Sequence, residues 1–210
     1  MKLFTKSILI AFTVSMALTV QAEIPASGGC AYSKQTVANI TCYGPATIDD
    51  TTVTGTINVF GPLTMKNVTA NDVITKGPLT MNQATVNNIT VQGTLTMTNA
   101  SANNVNVQGS VLSTSSTVKG QVSAEGPVEA TYSTFEQSVF STSNSVILSS
   151  SQVVGNVTET SNNGPAVLKM TGKSVVSGNV EFPAQSGQVI LDSQSKVVGT
   201  IVNGTKQVAG

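Results

Sequence analysis

The chain has 210 residues, with ten lysines balancing ten acidic residues at a net charge of zero, and it contains no arginine, histidine or tryptophan. Arginine is the preferred bidentate clamp for phosphate, histidine the usual acid/base group and metal ligand, and tryptophan a frequent anchor of binding surfaces. Without them, and without any basic patch, the chain offers no electrostatic footprint for nucleic acid or an anionic membrane and few of the usual parts of an active site.

The first residues set the expected address. Lys2 and Lys6 form a short basic region, Ile8 to Val20 is an apolar stretch interrupted only by Thr and Ser, and Val20-Gln21-Ala22 supplies small residues at −3 and −1. This is the pattern of a secretory signal peptide over residues 1–22. The stretch falls short of the about 20 apolar residues of a membrane span, and no later stretch could cross as a helix. The mature chain is expected to start at Glu23 with a net charge of −2, counted from the remaining lysines and acids. It should be exported and reside in the periplasm, at the cell surface or outside the cell.

Residues 23–43 are expected to form an N-terminal cap held by a disulfide between Cys30 and Cys42. In an exported chain an isolated pair this close is most simply a disulfide, worth roughly 3 kcal/mol in the loop-closure model. The rival reading lipidates Cys30 after Ser27-Gly28-Gly29, but Ser27 stands where a Leu-like residue is needed. The spacing excludes a CxxC redox pair.

From Gly61 to Gln108 the chain reads GPLTMKNVTANDVITK, GPLTMNQATVNNITVQ and GTLTMTNASANNVNVQ. Turn-starting glycines at 44, 61, 77, 93, 109 and 126 extend this frame, spaced 17, 16, 16, 16 and 17 residues. Six such marks indicate a repeat architecture. With Gly as position 1, apolar residues fall at positions 3, 5, 8, 10, 13 and 15. In one repeat these are Leu79, Met81, Ala84, Val86, Ile89 and Val91. The next supplies Leu95, Met97, Ala100, Ala102, Val105 and Val107. A step of two is strand alternation with one face buried, and a step of three is a strand broken at a corner. Each repeat should therefore hold three short strands. Stacked coil on coil, the repeats form an all-β, right-handed parallel β-helix of 16–17 residues per coil and roughly triangular section, regular over 44–142. In the 17-residue repeats, Ile57 and Val59 fall one place late, as do Val122 and Ala124, which places the extra residue at a corner.

The Gly-Pro pairs at 44, 61, 77 and 126 are read as bends, with Gly free to take positive φ and Pro holding φ fixed. Asn71, Asn87 and Asn103, at position 11, are read as left-handed corner residues whose amides stack. Over 143–210 the frame loosens into phrases 21 to 22 residues apart, such as Val146-Ile147-Leu148 and Val167-Leu168. These are expected to be irregular coils with longer bends and a C-terminal tail, their inward phase left open.

No catalytic residue, metal site or cofactor is expected. Asp49-Asp50 is the only adjacent acidic pair, and adjacent strand residues point to opposite faces. Neither an acidic cluster with a neighbouring base nor an exposed aromatic stripe stands out. Thr47, Thr64, Thr80 and Thr96 occupy an outward position and should stack into a surface row. The next outward row, Asp49, Lys66, Asn82 and Thr98, is mixed, so a double threonine rank of the ice-binding kind is missing. Thr is also simply well suited to the solvent side of a strand. At the C-terminus the coil around Val197, Val198, Ile201 and Val202 lacks an evident cap, and its open edge is the candidate site of self-association.

The Gly-started coils, such as Gly77-Pro78-Leu79-Thr80-Met81, and the later phrases at Val153 to Val157 and Val175 to Val180 resemble the bactofilin-like, polymer-forming β-helix family from about Gly44 to Val202. That resemblance implies end-to-end stacking. Bactofilins are cytoskeletal and generally lack a cleaved signal, whereas this chain carries one. The functional expectation is an exported, non-enzymatic β-helix with a structural, adhesive or self-assembling role. Its partner would be another copy or a cell-surface or extracellular ligand. The alternatives are a carbohydrate- or ice-binding module using a flat face and, behind it, a polysaccharide-active enzyme. Sequencing the N-terminus of the exported protein should return Glu23; an acylated Cys30 would overturn both that start and the disulfide.

Overall fold

A computed structural model describes residues 28–161, 164–184 and 186–209. The expected signal peptide and the Glu23 start lie outside the described residues. Every described element is a β-strand or a bend, and every strand pair is parallel. The strands wind into a β-solenoid of about ten turns. Among the described residues no helix is long and apolar enough to cross a membrane.

One face of the solenoid is an eleven-stranded sheet running from Cys30–Ser33 to Gly204–Val208. The second and third faces merge into a sixteen-stranded sheet, because strands such as Thr52–Val59, Thr69–Thr75, Thr85–Val91 and Ser101–Val107 continue round the corner between them. The six positions picked out by periodicity are the core. Leu79 to Val91 and Leu95 to Val107 contribute twelve inward side chains, none more than 5% exposed. The extra residue of the 17-residue coil is an irregularity between Val53 and Thr56, at a corner as expected. Beyond residue 143 the same phase persists. Val146, Leu148, Ser151, Val153, Val157 and Glu159 turn inward, and the following coil repeats the pattern from Leu168 to Phe182.

Cys30 and Cys42 form the disulfide, with Cα atoms 6.2 Å apart. Both cysteines are buried, and they sit in register with Ala46 and Val59. The segment expected as a cap is thus itself the first described coil, with the bond crossing its interior. A disulfide points to an oxidising compartment.

The corners differ from expectation in two ways. Asn71, Asn87 and Asn103 lie within strands, and the left-handed residues are instead at the preceding corner: Lys34, Asp50, Asn67, Gln83, Asn99, Ser115, Tyr132 and Ser150, with φ between 44° and 52°. The repeating glycines, in turn, are not at positive φ. Their role is close approach between coils. A Cβ on Gly77 would meet the carbonyl carbon of Gly61 at 2.7 Å, and one on Gly61 would meet that of Gly44 at 2.8 Å.

Because burial comes only from stacking, the inward phase is testable by charge. Val86→Asp should cost several kcal/mol through desolvation of an unpaired carboxylate. Thr80→Asp, facing solvent, should stay within about 1 kcal/mol. Equal shifts in urea midpoint would contradict the phase.

Candidate functional surfaces

Parallel pairing without slippage turns each sequence position into a straight rank of side chains. Thr47, Thr64, Thr80 and Thr96 are register partners on the eleven-stranded face, the first three exposed and Thr96 half-buried. The rank ends between Ala31 and Leu112. Its neighbour runs Asp49, Lys66, Asn82 and Thr98, as expected, and becomes a hydroxyl rank only afterwards, through Thr114, Thr131, Ser149 and Thr171. The two hydroxyl ranks overlap on one coil only, that of Thr96 and Thr98.

A longer rank was missed from sequence. On the second face Thr36, Thr52, Thr69, Thr85, Ser101, Thr117 and Thr134 follow one another in register. It occupies position 9 of the same repeat frame, so the signal was present but reads as ordinary strand threonine. At the corner beyond it, side-chain amides bond from coil to coil. Asn88 Nδ2 donates to Asp72 Oδ1 at 2.8 Å, Asn104 Nδ2 to Asn88 Oδ1 at 3.0 Å, and Asn87 Nδ2 to Asn71 Oδ1 at 3.3 Å. Of the asparagines expected to stack, Asn87 and Asn71 do so, while the longer amide run passes through Asn104, Asn88 and Asp72.

The aromatic side chains are less scattered than composition suggests. Tyr43 and Phe60, each preceding a corner glycine, stack with centroids 5.0 Å apart and 14° between planes, and Lys76 Nζ lies 4.8 Å from the Phe60 centroid. This is a short apolar ledge near the N-terminal end, too small to make a stripe.

Acidic groups do not converge. Asp50 sits at a left-handed corner and accepts a hydrogen bond from Asn67 Nδ2, while Asp49 is half-buried with Oδ1 unpartnered. Half-buried Asp192 is held below the usual carboxylate range, first by the Ser195 side chain and then by the Gly172 N–H. Glu159 alone among the described carboxylates is fully buried. Among the described residues no three of His, Cys, Asp and Glu stand close enough to hold a metal ion.

At the C-terminal end, Val197 and Ile201 are partly buried against the core, whereas Val198 and Val202 are 62% and 42% exposed. The tail does not fold across them. It continues the winding path as strand Gly204–Val208, stacked on Gly187–Leu191. Lys206 thereby stands at an inward register position, above Val189. Its side chain is exposed, and a charge at an inward register position of an edge strand opposes further strand addition; the last described strands of the other two faces are Lys196–Val197 and Ile201–Val202.

The interior also holds a serine ladder. Ser116, Ser133, Ser151 and Ser174 are buried at position 8, where earlier coils have Val68, Ala84 and Ala100. The N–H of Ser116 donates to Ser133 Oγ at 3.2 Å, that of Ser133 to Ser151 Oγ at 3.0 Å, and that of Ser151 to Ser174 Oγ at 3.1 Å. Each hydroxyl donates in turn to a nearby carbonyl, as Ser133 Oγ does to Thr131 O at 3.0 Å.

The geometry defines the chain as a β-solenoid. Comparison with protein-family models, curated proteins and solved structures returns no match to any of them.

The serine ladder and the threonine rank should respond differently to truncation. Ser133→Ala strands the buried N–H of Ser116 and should cost about 1–3 kcal/mol. Thr64→Ala, on the solvent side, should stay within about 0.5 kcal/mol. Equilibrium urea unfolding separates the two, and equal values would mean the ladder contributes nothing.

Proposed function

We propose that this chain is an exported, non-enzymatic β-solenoid with a structural or adhesive role at the bacterial envelope or outside the cell, able to associate end to end with a second copy. The observation that carries this reading is the last described coil, where, among the described residues, nothing covers the strands Lys196–Val197 and Ile201–Val202 or the partly buried Val197 and Ile201. The resemblance to polymer-forming bactofilin-like repeats agrees with it, as does the disulfide with export.

The N–H of Val198 already donates to Val176 O at 2.8 Å, so proline there would damage the last coil itself. Successive strand N–H groups point to opposite sides, which leaves that of Val197 at the open edge. Sedimentation velocity should show a concentration-dependent dimer or short oligomer of the mature protein. Val197→Pro should weaken it, and Lys206→Leu, which removes the inward charge, should strengthen it. A monomer at every concentration in both the wild type and Lys206→Leu would sink the self-association.

A second reading, a neutral glycan or ice surface bound by a flat face, draws on the seven-membered hydroxyl rank from Thr36 to Thr134. Co-sedimentation with insoluble cellulose or chitin, or inhibition of ice recrystallisation, abolished by Thr69→Lys/Thr85→Lys with the fold intact, would favour it over assembly.

A further inference from the structure

Strand Val157–Glu159 lies between Val139–Ser141 and Val180–Glu181 on the third face. Its last residue occupies the inward row that earlier coils fill with Val59, Val91, Val107 and Ala124. Polar residues elsewhere in that row are satisfied by backbone: Thr75 Oγ1 donates to Gly61 O at 2.8 Å and Ser141 Oγ to Gly126 O at 3.2 Å. Glu159 is 1% exposed, and neither carboxyl oxygen has a hydrogen-bond partner among the described residues.

Among the described residues none supplies a countercharge. The inward residues of its own and the following coil, including Leu148, Val153, Leu168, Met170, Val176 and Phe182, are all apolar or non-ionising. Ser141 precedes it in the row. The ionisable groups on the neighbouring strands face away: Lys169 is exposed, and Glu181, in the outward row with Thr158, accepts a hydrogen bond from Asn156 Nδ2. Glu136, from the coil before, and Glu125, from the one before that, are exposed.

We propose that Glu159 is a proton-dependent latch. Strand Val157–Glu159 is held most firmly between its two neighbours while the carboxyl carries its proton, and the seating weakens once an unseated carboxyl would ionise, because an unpaired carboxylate is costly in this interior. Unseating opens two sheet edges partway along the rod, between Val139–Ser141 and Val180–Glu181.

Burial pushes the Glu159 carboxyl up from its ordinary 4.5 to about 8. In the seated strand the proton is kept to about pH 8; in the unseated strand, open to water, it leaves above about 4.5. Opening therefore releases a proton within that window, and the latch weakens as pH rises through it. The opening constant should climb about tenfold per pH unit, levelling above about 8 and independent of pH below about 4.5.

Native-state hydrogen exchange, corrected for intrinsic rates, reads this locally. The probes are the N–H groups of Val157 and Thr160, which donate to Asn179 O and Ser141 O, with Leu95 in the regular coils as control. In the wild type, protection at Val157 and Thr160 should fall about tenfold per unit from about pH 5 to about pH 7.5 while Leu95 changes far less. Glu159→Val, which matches the valines of the same row, and Glu159→Gln should both abolish the slope. A flat wild-type profile, a slope equal to that of Leu95, or a slope surviving in either variant would overturn the latch; should neither variant fold, the wild-type contrast between Thr160 and Leu95 decides alone.

Discussion

Everything in this molecule depends on one coil hydrogen-bonding to the next in parallel and in register. A single coil has no interior; its inward side chains are covered only by the coils above and below. The backbone carries that constraint down the whole rod, as when Leu63 donates to Pro78 O, Leu79 to Thr94 O and Leu95 to Ser110 O, all at 2.9 Å. The same register that stacks Met65, Met81 and Met97 inside also lines up threonines outside. Core and surface ranks are two sides of one ladder, so surface periodicity by itself is no evidence of a ligand.

The three corners meet the register requirement by different chemistry. After the first face the chain turns through a left-handed residue, and in the later coils a buried serine follows it and takes up the neighbouring N–H. Between the second and third faces the strands from Thr52–Val59 to Ser101–Val107 stay continuous and amides bond from coil to coil, with Gly55 entering one of them; in the next coil the strand breaks and Gly120 lies in the gap. A Cβ on Gly120 would meet Asn103 O at 2.7 Å. At the third corner successive glycines pass so closely that a side chain would strike the backbone of the coil before. The glycine frame visible in the sequence is therefore a record of contact between coils rather than of unusual φ.

The interior changes character along the rod. The N-terminal coils are filled by Met, Leu, Ile and Val behind a buried disulfide, whereas the C-terminal coils carry serine at position 8 and a carboxyl at position 15. Serines satisfied by backbone cost little. Glu159 has no such partner among the described residues, and in the last described coil Val197 and Ile201 are only partly buried.

The sequence by itself determined the winding, the six inward positions of the regular coils, the corner placement of the extra residue and the disulfide pair. The first three follow from short-range alternation and a fixed repeat length, and the disulfide from an isolated cysteine pair in a chain expected to be exported. Only the tertiary structure decided which corner residue is left-handed, because Lys34, Gln83 and Tyr132 carry no turn signature. It also decided that Ser133 and Ser151 are core residues, since a serine becomes an inward residue only when a stacked N–H is there to meet it. Glu159 was hidden for a related reason. Its inward phase is set by pairing with Ser141 across a longer bend, and bend length between coils cannot be read from alternation within a strand. The long hydroxyl rank on the second face lay in the repeat frame throughout, but threonine on a strand surface acquires a neighbour, and so a geometry, only when the coils stack.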